Sequence, residues 1–380
     1  MKSPDMKTYV LFHGRMPSEK AAALWAAKTA EALADAGESV ELVVSAHSVK
    51  EDPFEVYGLT RALSFHRLTG FDMVRSRLPI SIAFFLSVLS YAFSAVTYVR
   101  ENASRDAVII SNEPLALFFL PFFFRNCYLE VHVFPRHPWL YAPLMRRMKG
   151  IIAINAWLAG ECARVFGVMP ENIIVARSGV EVEKFAPSGT QAEARARVGL
   201  PQEGAIALYT GHLYAWKGAD TLAEAAKEIP ETLVVFVGGT AGDIAAFRAS
   251  HGATKNIRIH GHVPHADIPA WQRAADVLVL PNTAKEAISK YYTSPMKLFE
   301  YMASGTPIVA SRLPSICEVL TDDTALLVEP DNAGALAAAI ASVQGNADAA
   351  TQRARAARAA VEQYSWRSRG TLIADFVRER

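Results

Sequence analysis

The sequence has few cysteines and no excess of charge of either sign. Three cysteines among 380 residues, Cys127, Cys162 and Cys317, lie far apart and form no Cys-x-x-Cys pair. This argues against a disulfide framework and against a cysteine-built zinc site. The 39 basic and 38 acidic residues give a net charge of +1, so no chain-wide field exists to bind a polyanion such as DNA. Any recognition of phosphate should therefore be local.

The opening residues lack the long apolar region and small-residue cleavage site of a signal peptide. Together with the sparse cysteines, this predicts a cytoplasmic location. No short-period repeat or low-complexity tract is present either. What the sequence has instead is 51% apolar and 20% charged residues, enough to bury large cores and to exclude global disorder. The length corresponds to two or three domains.

The first half alternates short apolar runs with helical patterns, which predicts a parallel sheet covered on both faces. We expect one doubly wound domain over residues 1–187, with a first helix capped by Ser18. Its predicted strands are Thr8–His13, Ser39–Ser45, Ala107–Ser111, Cys127–His132, Ile151–Asn155 and Ile173–Arg177.

Residues 188–203 begin after Pro187 with Ser188-Gly189, continue with a short polar helical piece and reach Gly199-Leu-Pro201, a pattern that predicts a linker. A second strand-helix alternation follows over residues 204–350, and residues 351–380 form a helical tail. The predicted fold class is therefore α/β, with two Rossmann-like doubly wound domains. The carboxyl ends of their strands should face a cleft, where such sheets bind ligands.

Two segments of the second domain carry residues suited to binding a phosphate. Gly211 follows a predicted strand, where a glycine allows close backbone approach, and Lys217 supplies a compact positive charge. Farther on, Ser294 is placed to cap a helix whose opening amides form an anion site. Lys297 and Glu300 share a face of that helix. Each segment alone also fits an ordinary turn or a surface ion pair.

In combination these segments resemble the donor-binding half of GT-B glycosyltransferases of family 4, also called glycosyl transferases group 1. The resemblance rests on Lys217-Gly218, the Gly238-Gly239 loop, and Ser294-Pro-Met-Lys-Leu-Phe-Glu300, a Ser-Pro-x-Lys form found in one branch of the family. It extends through Pro17-Ser-Glu-Lys20, Glu130-Val-His132 and Tyr364-Ser365-Trp366 to nearly the whole chain, and it implies that the tail packs back on the first domain.

The resemblance implies a retaining transferase that moves a sugar from a nucleotide-sugar to a glycan or lipid-linked acceptor, in polysaccharide or glycolipid synthesis. Catalytic roles fall to His132, Lys217 and Glu300, with Lys217 at the diphosphate and Glu300 at the ribose. Glu19, Lys20 and His132 would lie on the acceptor side. The implied donor-binding residues are Gly14, Gly211, His212, Lys217, Gly239, Val263, Tyr292, Thr293, Ser294, Lys297 and Glu300.

Two positions depart from the family pattern. Tyr292 stands where the first glutamate of Glu-x7-Glu is usual, and His212 replaces a common arginine. Thr293, Ser294 and Lys297 are therefore expected to share the diphosphate and sugar contacts. Neither a metal nor another cofactor is implied. His260, His262 and His265 suggest a zinc site by their types alone, but no carboxylate or cysteine accompanies them, and a loop beside the base pocket is favoured.

Two other functions remain open from the sequence. A nucleotide-sugar 2-epimerase has the same fold, and a sugar-nucleotide-binding protein without catalysis would account for Tyr292. No nucleic-acid partner is indicated.

Leu78 to Val99 contains no charged residue, so it is long enough to span a bilayer. Ser87, Ser90, Tyr91, Ser94 and Tyr98 recur at helical spacing, which favours a helix lying against protein. The phenylalanine-rich run Leu115 to Phe124 and the basic residues Arg146, Arg147 and Lys149 fit either shallow contact with the cytoplasmic membrane face or burial in a soluble domain.

Overall fold

The computed structural model describes residues 7–18, 20–45, 51–61, 63–69, 78–186 and 188–380. These residues form two compact units, one made of residues 1–178 and 366–380 and the other of residues 179–365. Each contains a parallel sheet with helices on its faces.

The sheet of the first unit has seven parallel strands in the order β3-β2-β1-β4-β5-β6-β7. Their bounds are β1 Lys7–Phe12, β2 Ser39–Ser45, β3 Ser64–Leu68, β4 Val108–Ser111, β5 Asn126–Val131, β6 Gly150–Ala153 and β7 Ile173–Val175. The accompanying helices are α1 Ala21–Asp35, α2 Pro53–Tyr57, α3 Ile80–Asn102, α4 Pro138–Met145 and α5 Ala156–Phe166. The reversal of strand order at β1 and β4 is that of a doubly wound fold.

The sheet of the second unit has six parallel strands in the order β10-β9-β8-β11-β12-β13. The strands are β8 Ala205–Thr210, β9 Thr232–Val237, β10 Ile257–His260, β11 Val277–Leu280, β12 Ile308–Ser311 and β13 Leu326–Val328. The helices are α6 Val182–Phe185, α7 Gln191–Val198, α8 Ala219–Ala226, α9 Ala241–His251, α10 Ile268–Ala274, α11 Met296–Ser304, α12 Pro314–Cys317, α13 Ala333–Gly345 and α14 Ala347–Ala360.

Alternate residues of the second sheet enter two different cores. Ile206 and Leu208 of β8 join one apolar cluster, whereas Ala207 and Tyr209 join another. Because successive side chains of a strand point to opposite faces, both faces of this sheet are covered. The strands of this sheet are apolar throughout because both of their faces are buried, as the sequence pattern predicts.

The last helix, α15 (Trp366–Arg378), lies in the first unit although it follows the second in sequence. It packs against α1 so closely that a Cβ built on Gly370 would lie 2.2 Å from the carbonyl oxygen of Ala32. Any side chain at Gly370 would force the two helices apart.

The predicted domain limits need correction. Residues 188–203 are not a free linker, because α7 begins with a Thr190–Glu193 capping box and Arg195 donates to the Asp276 carboxylate at 2.7 Å. These contacts hold the segment in the second unit. Val180 forms a short parallel bridge with Ser365, so the chain enters this unit near residue 179, and residues 351–365 remain in it.

Three local predictions also differ from the structure. Ser18 does not cap α1, which begins after Lys20, because its main chain is hydrogen-bonded to the Tyr57 hydroxyl. The N-cap of α11 is Pro295 rather than Ser294. The sequence does not predict the edge strand β3, since only Leu68 of its five residues is buried and the strand carries no long apolar run.

The uncharged stretch forms α3, which is long and apolar enough to cross a membrane by length and composition. Core helices of soluble proteins also meet this criterion. Its polar stripe contacts protein, with Tyr91 donating to the carbonyl of Val43 at 2.8 Å and Ser94 to that of Thr69 at 2.8 Å. The prediction that α3 lies against protein is therefore confirmed for this face.

Candidate donor site

Two glycine turns meet at the carboxyl ends of β8 and β9. Gly211 has a φ of +123° and Gly238 a φ of +115°, conformations that favour glycine. A Cβ at Gly238 would lie 2.8 Å from the carbonyl oxygen of Gly211. The two turns therefore pack backbone against backbone, and a side chain at Gly238 would push them apart.

Lys217 and Lys297 converge at this turn. A Cβ built on Gly211 would lie 3.8 Å from Lys217 Nζ and 4.0 Å from Lys297 Cδ. Lys297 Nζ is shielded from solvent, has no hydrogen-bond partner, and lies 3.9 Å from the centre of the Tyr209 ring. The structure therefore brings together three of the sequence-predicted residues, and two of them are cations.

Burial lowers the pKa of both lysines. Desolvation lowers the pKa of Lys217 to about 8, although Asp243 and Glu300 act in the opposite direction. For Lys297, desolvation and then repulsion from Lys217 hold the pKa well below its usual value. Nearby carboxylates only partly offset the cost of burying these two positive charges. A bound anion would therefore stabilise the charged form of both lysines.

Glu300 lies beside the lysines but is hydrogen-bonded elsewhere. His265 Nε2 is 2.9 Å from Glu300 Oε1, and Lys184 Nζ is 3.4 Å from His265 Nδ1. Glu300 is only 8% exposed. One carboxylate oxygen is therefore held by the histidine.

Hydrogen bonds from neighbouring elements hold α11 and the segment before it. Residues Ile288–Tyr292, which include Tyr292 in place of the family glutamate, form a π-helical turn, a feature frequent at functional sites. The Ser315 hydroxyl donates to the carbonyl of Ser289 at 2.7 Å. The Tyr301 hydroxyl accepts from Thr210 N at 2.8 Å, which ties α11 to the end of β8. Thr293 and Ser294 connect the π-helical turn to α11.

The remaining donor-side predictions, apart from Gly14, fall on loops of the same unit. His212 stacks on Tyr214 with ring centres 5.0 Å apart, and Val263 packs against the core. Gly239 has a φ of +96°. His260 packs on Trp271, and no group of three or more His, Cys, Asp or Glu within the described ranges is arranged to hold a metal ion.

The acceptor-side predictions Lys20 and His132 lie in the first unit, and so does Gly14, which was predicted to bind the donor. His132 follows β5 and is 3.0 Å from Glu130 through its Nε2. Lys20 is the exposed N-cap of α1. Gly14 faces the Phe12 ring, where a Cβ would lie 2.4 Å from a ring carbon. Glu19 lies outside the described residues.

Sequence reasoning missed the contacts that His265 and Tyr209 make. His265 and Glu300 are separated by 35 positions, so no local spacing indicates their pairing. Tyr209 occupies a buried strand position, and only the fold shows that Lys297 lies over its ring.

The second unit is similar in sequence to known glycosyltransferases. Residues 204–346 match the family model described as glycosyl transferases group 1. The chain is 28% identical over 248 residues to the D-inositol 3-phosphate glycosyltransferase of Streptomyces scabiei, a match covering 61% of this chain and 54% of that protein. The chain thus spans about half the length of this curated relative.

Solved structures match over almost the full chain. Sucrose-phosphate synthase from Thermosynechococcus elongatus superposes with a TM-score of 0.79 at 19% identity, covering 98% of both chains. Anabaena HepE, solved with UDP and glucose, gives a TM-score of 0.75 at 17% identity, covering 99% of this chain and 100% of that one. These likenesses bear on the fold. The chain therefore has the GT-B fold, and its second unit carries the match to glycosyl transferases group 1.

Proposed function

We propose that this protein transfers a sugar from a nucleotide-sugar donor to a glycan or lipid-linked acceptor, with retention of configuration and without a metal ion. The observation that carries the proposal is the pair of half-buried lysines at the Gly211 turn. An anion is the ligand that best compensates them, and the diphosphate of a nucleotide-sugar is such an anion. The UDP and glucose bound to HepE support a donor of this class.

The lysines would act where negative charge develops. When the bond from the sugar anomeric carbon to the diphosphate breaks, charge accumulates on the leaving phosphate, and Lys217 and Lys297 would stabilise that charge. In the retaining mode, the acceptor oxygen forms its bond on the same face. Its proton passes to the departing phosphate oxygen, so no protein base is required.

Thermal-shift screening of UDP-, GDP- and dTDP-linked sugars tests donor binding, because a ligand of the folded state raises its apparent stability. The binding donor is then incubated alone with the protein. Slow release of nucleoside diphosphate identifies a transferase, since water replaces the acceptor. An epimerised donor would favour the 2-epimerase, and binding without any turnover would favour a non-catalytic sugar-nucleotide-binding protein.

We further propose that the first unit contacts the cytoplasmic membrane face to reach its acceptor. The supporting feature is an aromatic patch formed by Phe93, Phe118, Phe119, Phe122 and Phe123. Phe93 stacks on Phe119 with ring centres 5.0 Å apart, and Phe118, Phe122 and Phe123 are 44–59% exposed. Arg100 and Arg147 each lie 4.4 Å from a ring centre of this patch. Exposed aromatic rings bordered by arginines suit an interface with anionic lipid.

A further inference from the structure

Glu130, at the end of β5, receives two hydrogen bonds on one carboxylate oxygen. His132 Nε2 lies 3.0 Å and Arg369 Nη2 2.5 Å from Glu130 Oε1. The residue is 1% exposed, and its other oxygen, Oε2, is buried without a hydrogen-bond partner. The carboxylate therefore joins a histidine beside β5 to an arginine of the C-terminal helix α15.

Arg369 is itself held by several elements of the first unit. Its guanidinium also donates to Thr29 Oγ1 and to the carbonyl of Arg177, both at 3.0 Å. It lies 5.3 Å from the centre of the Trp25 ring and is 4% exposed. Because each of its three nitrogens donates a hydrogen bond, the guanidinium is held in one orientation. Its hydrogen bond to Glu130 in turn fixes the orientation of that carboxylate.

The His132 ring is thereby fixed on two sides. The ring packs edge-on against Trp25, with centres 4.4 Å apart. A carboxylate paired with an arginine only accepts hydrogen bonds, so His132 Nε2 must donate to it. In the neutral imidazole the lone pair is then on Nδ1. The side chain of His132 is 27% exposed, which leaves the ring open to a ligand.

We propose that Glu130 and Arg369 are positioning residues that hold His132 in the Nε2–H tautomer and so present Nδ1 as a hydrogen-bond acceptor. The ligand it would accept from is a hydroxyl of the transferred sugar or of the acceptor, a point that rests on the proposed function. The C-terminal helix would then complete the site of the first unit from the far end of the chain.

The test uses the full chain with the double substitution Glu130→Met and Arg369→Met. Replacing a buried ion pair by apolar residues of similar size is often tolerated, whereas removing one partner leaves the other charge buried without compensation and destabilises the fold. Histidine ¹⁵N NMR then reports the His132 tautomer, and kinetics report kcat and the donor KM. Arg378→Met is the matched control, because Arg378 also lies on α15 and pairs with Glu38 instead.

In the unaltered protein and in Arg378→Met, we expect the Nε2–H tautomer alone. In the double variant, both tautomers should be present, and kcat should fall by about tenfold with the donor KM within about twofold. The single variant Arg369→Lys, in which Glu130 and the positive charge remain, should keep part of the preference for the Nε2–H tautomer.

An Nδ1–H tautomer in the unaltered protein, or a retained single Nε2–H tautomer in the double variant, would overturn the positioning role. A tautomer change with unchanged kcat would overturn the hydroxyl-accepting role. If the unaltered protein turns over no nucleotide-sugar, the proposed function fails, but the tautomer measurement still decides whether the two residues position His132.

Discussion

Glu300 is hydrogen-bonded to His265, whose Nε2 lies 2.9 Å from its Oε1. This contact joins the loop after β10 to helix α11 and orients the carboxylate that the family resemblance assigns to the ribose. The relationship makes His265 a candidate determinant of ribose recognition, and it leads to the first prediction.

Glu300→Ala should weaken donor binding by about 1.5–3 kcal/mol, the range for lost charge-assisted hydrogen bonds. His265→Leu should weaken it less, because the carboxylate remains but loses its orientation. In calorimetry, Glu300→Ala should bind the donor and its 2′-deoxyribose analogue with similar affinity, whereas the unaltered protein should prefer the ribose form and His265→Leu should keep part of that preference. His262→Ala, at an exposed histidine of the same loop, is the control. Undiminished ribose preference in Glu300→Ala would refute the assignment.

The second prediction concerns the pH dependence that Lys217 confers. Its pKa is lowered to about 8, so the free site loses this charge as pH rises through that value. Donor affinity should therefore fall above about pH 8. A nucleotide-sugar is the suitable ligand, since its substituted diphosphate does not titrate in this range.

Lys217→Ala should weaken donor binding by about 1.5–3 kcal/mol at neutral pH. Lys217→Arg should bind with a flatter pH profile, because a guanidinium stays charged. Calorimetry from pH 6.5 to 9.5 measures all three proteins. An equally steep decline in Lys217→Arg would show that another group titrates.

The third prediction is that Lys297→Met makes the folded protein more stable but prevents donor binding. The pKa of Lys297 is lowered in the folded protein, so its charge disfavours folding below the unfolded pKa of ~10.5, most fully below the folded pKa. Removing the charge should raise the apparent Tm at pH 7 and should abolish donor-induced stabilisation.

The gain in Tm should shrink as the pH approaches ~10.5, where the lysine is neutral in both states. Lys290→Met, on the neighbouring π-helical turn, serves as a comparison. A lower Tm for Lys297→Met at pH 7 would mean that its aliphatic packing outweighs the cost of its charge.

The fourth prediction is full transferase activity in excess chelator. Two lysines and the α11 amides would take the place of a divalent cation at the diphosphate. Activity with a chelator is compared with activity after adding Mg²⁺ or Mn²⁺. Loss of turnover that a divalent ion restores would reject the metal-independent mechanism.

The fifth prediction concerns the membrane. The protein should sediment with anionic liposomes at low salt, and high salt should release it, because basic residues contribute ~1 kcal/mol each near anionic lipid. Replacing the basic group Arg146, Arg147 and Lys149 with alanine should weaken binding. So should Phe122→Ser with Phe123→Ser.

A triple alanine variant of the exposed second-unit residues Lys227, Arg248 and Lys255 provides the charge-matched control. Absence of binding at low salt would favour a protein that works away from lipid. Equal loss of liposome binding in both triple variants would indicate that the lipid attracts basic residues in general and not the proposed surface of the first unit.

Much of the architecture follows from local pattern. Buried parallel strands are rich in apolar residues, and β2 has the bounds that the sequence predicts. The edge strand β3 has no long apolar run, and its pairing with β2 depends on tertiary contacts. The segment 188–203 has the composition of a linker, yet Arg195 and Asp276 hold it in the second unit across 81 positions.

The same division applies to the candidate site. The sequence by itself determined the candidate donor-binding residues, because Lys217, Lys297 and Glu300 stand in motifs with recognisable spacing. Only the tertiary structure decided their environment: the Tyr209 ring under Lys297, His265 on Glu300, and Arg369 on Glu130. The reason is physical. Spacing along a helix or strand is a local property, whereas burial, pKa and hydrogen-bond partners depend on groups that folding brings together from distant parts of the chain.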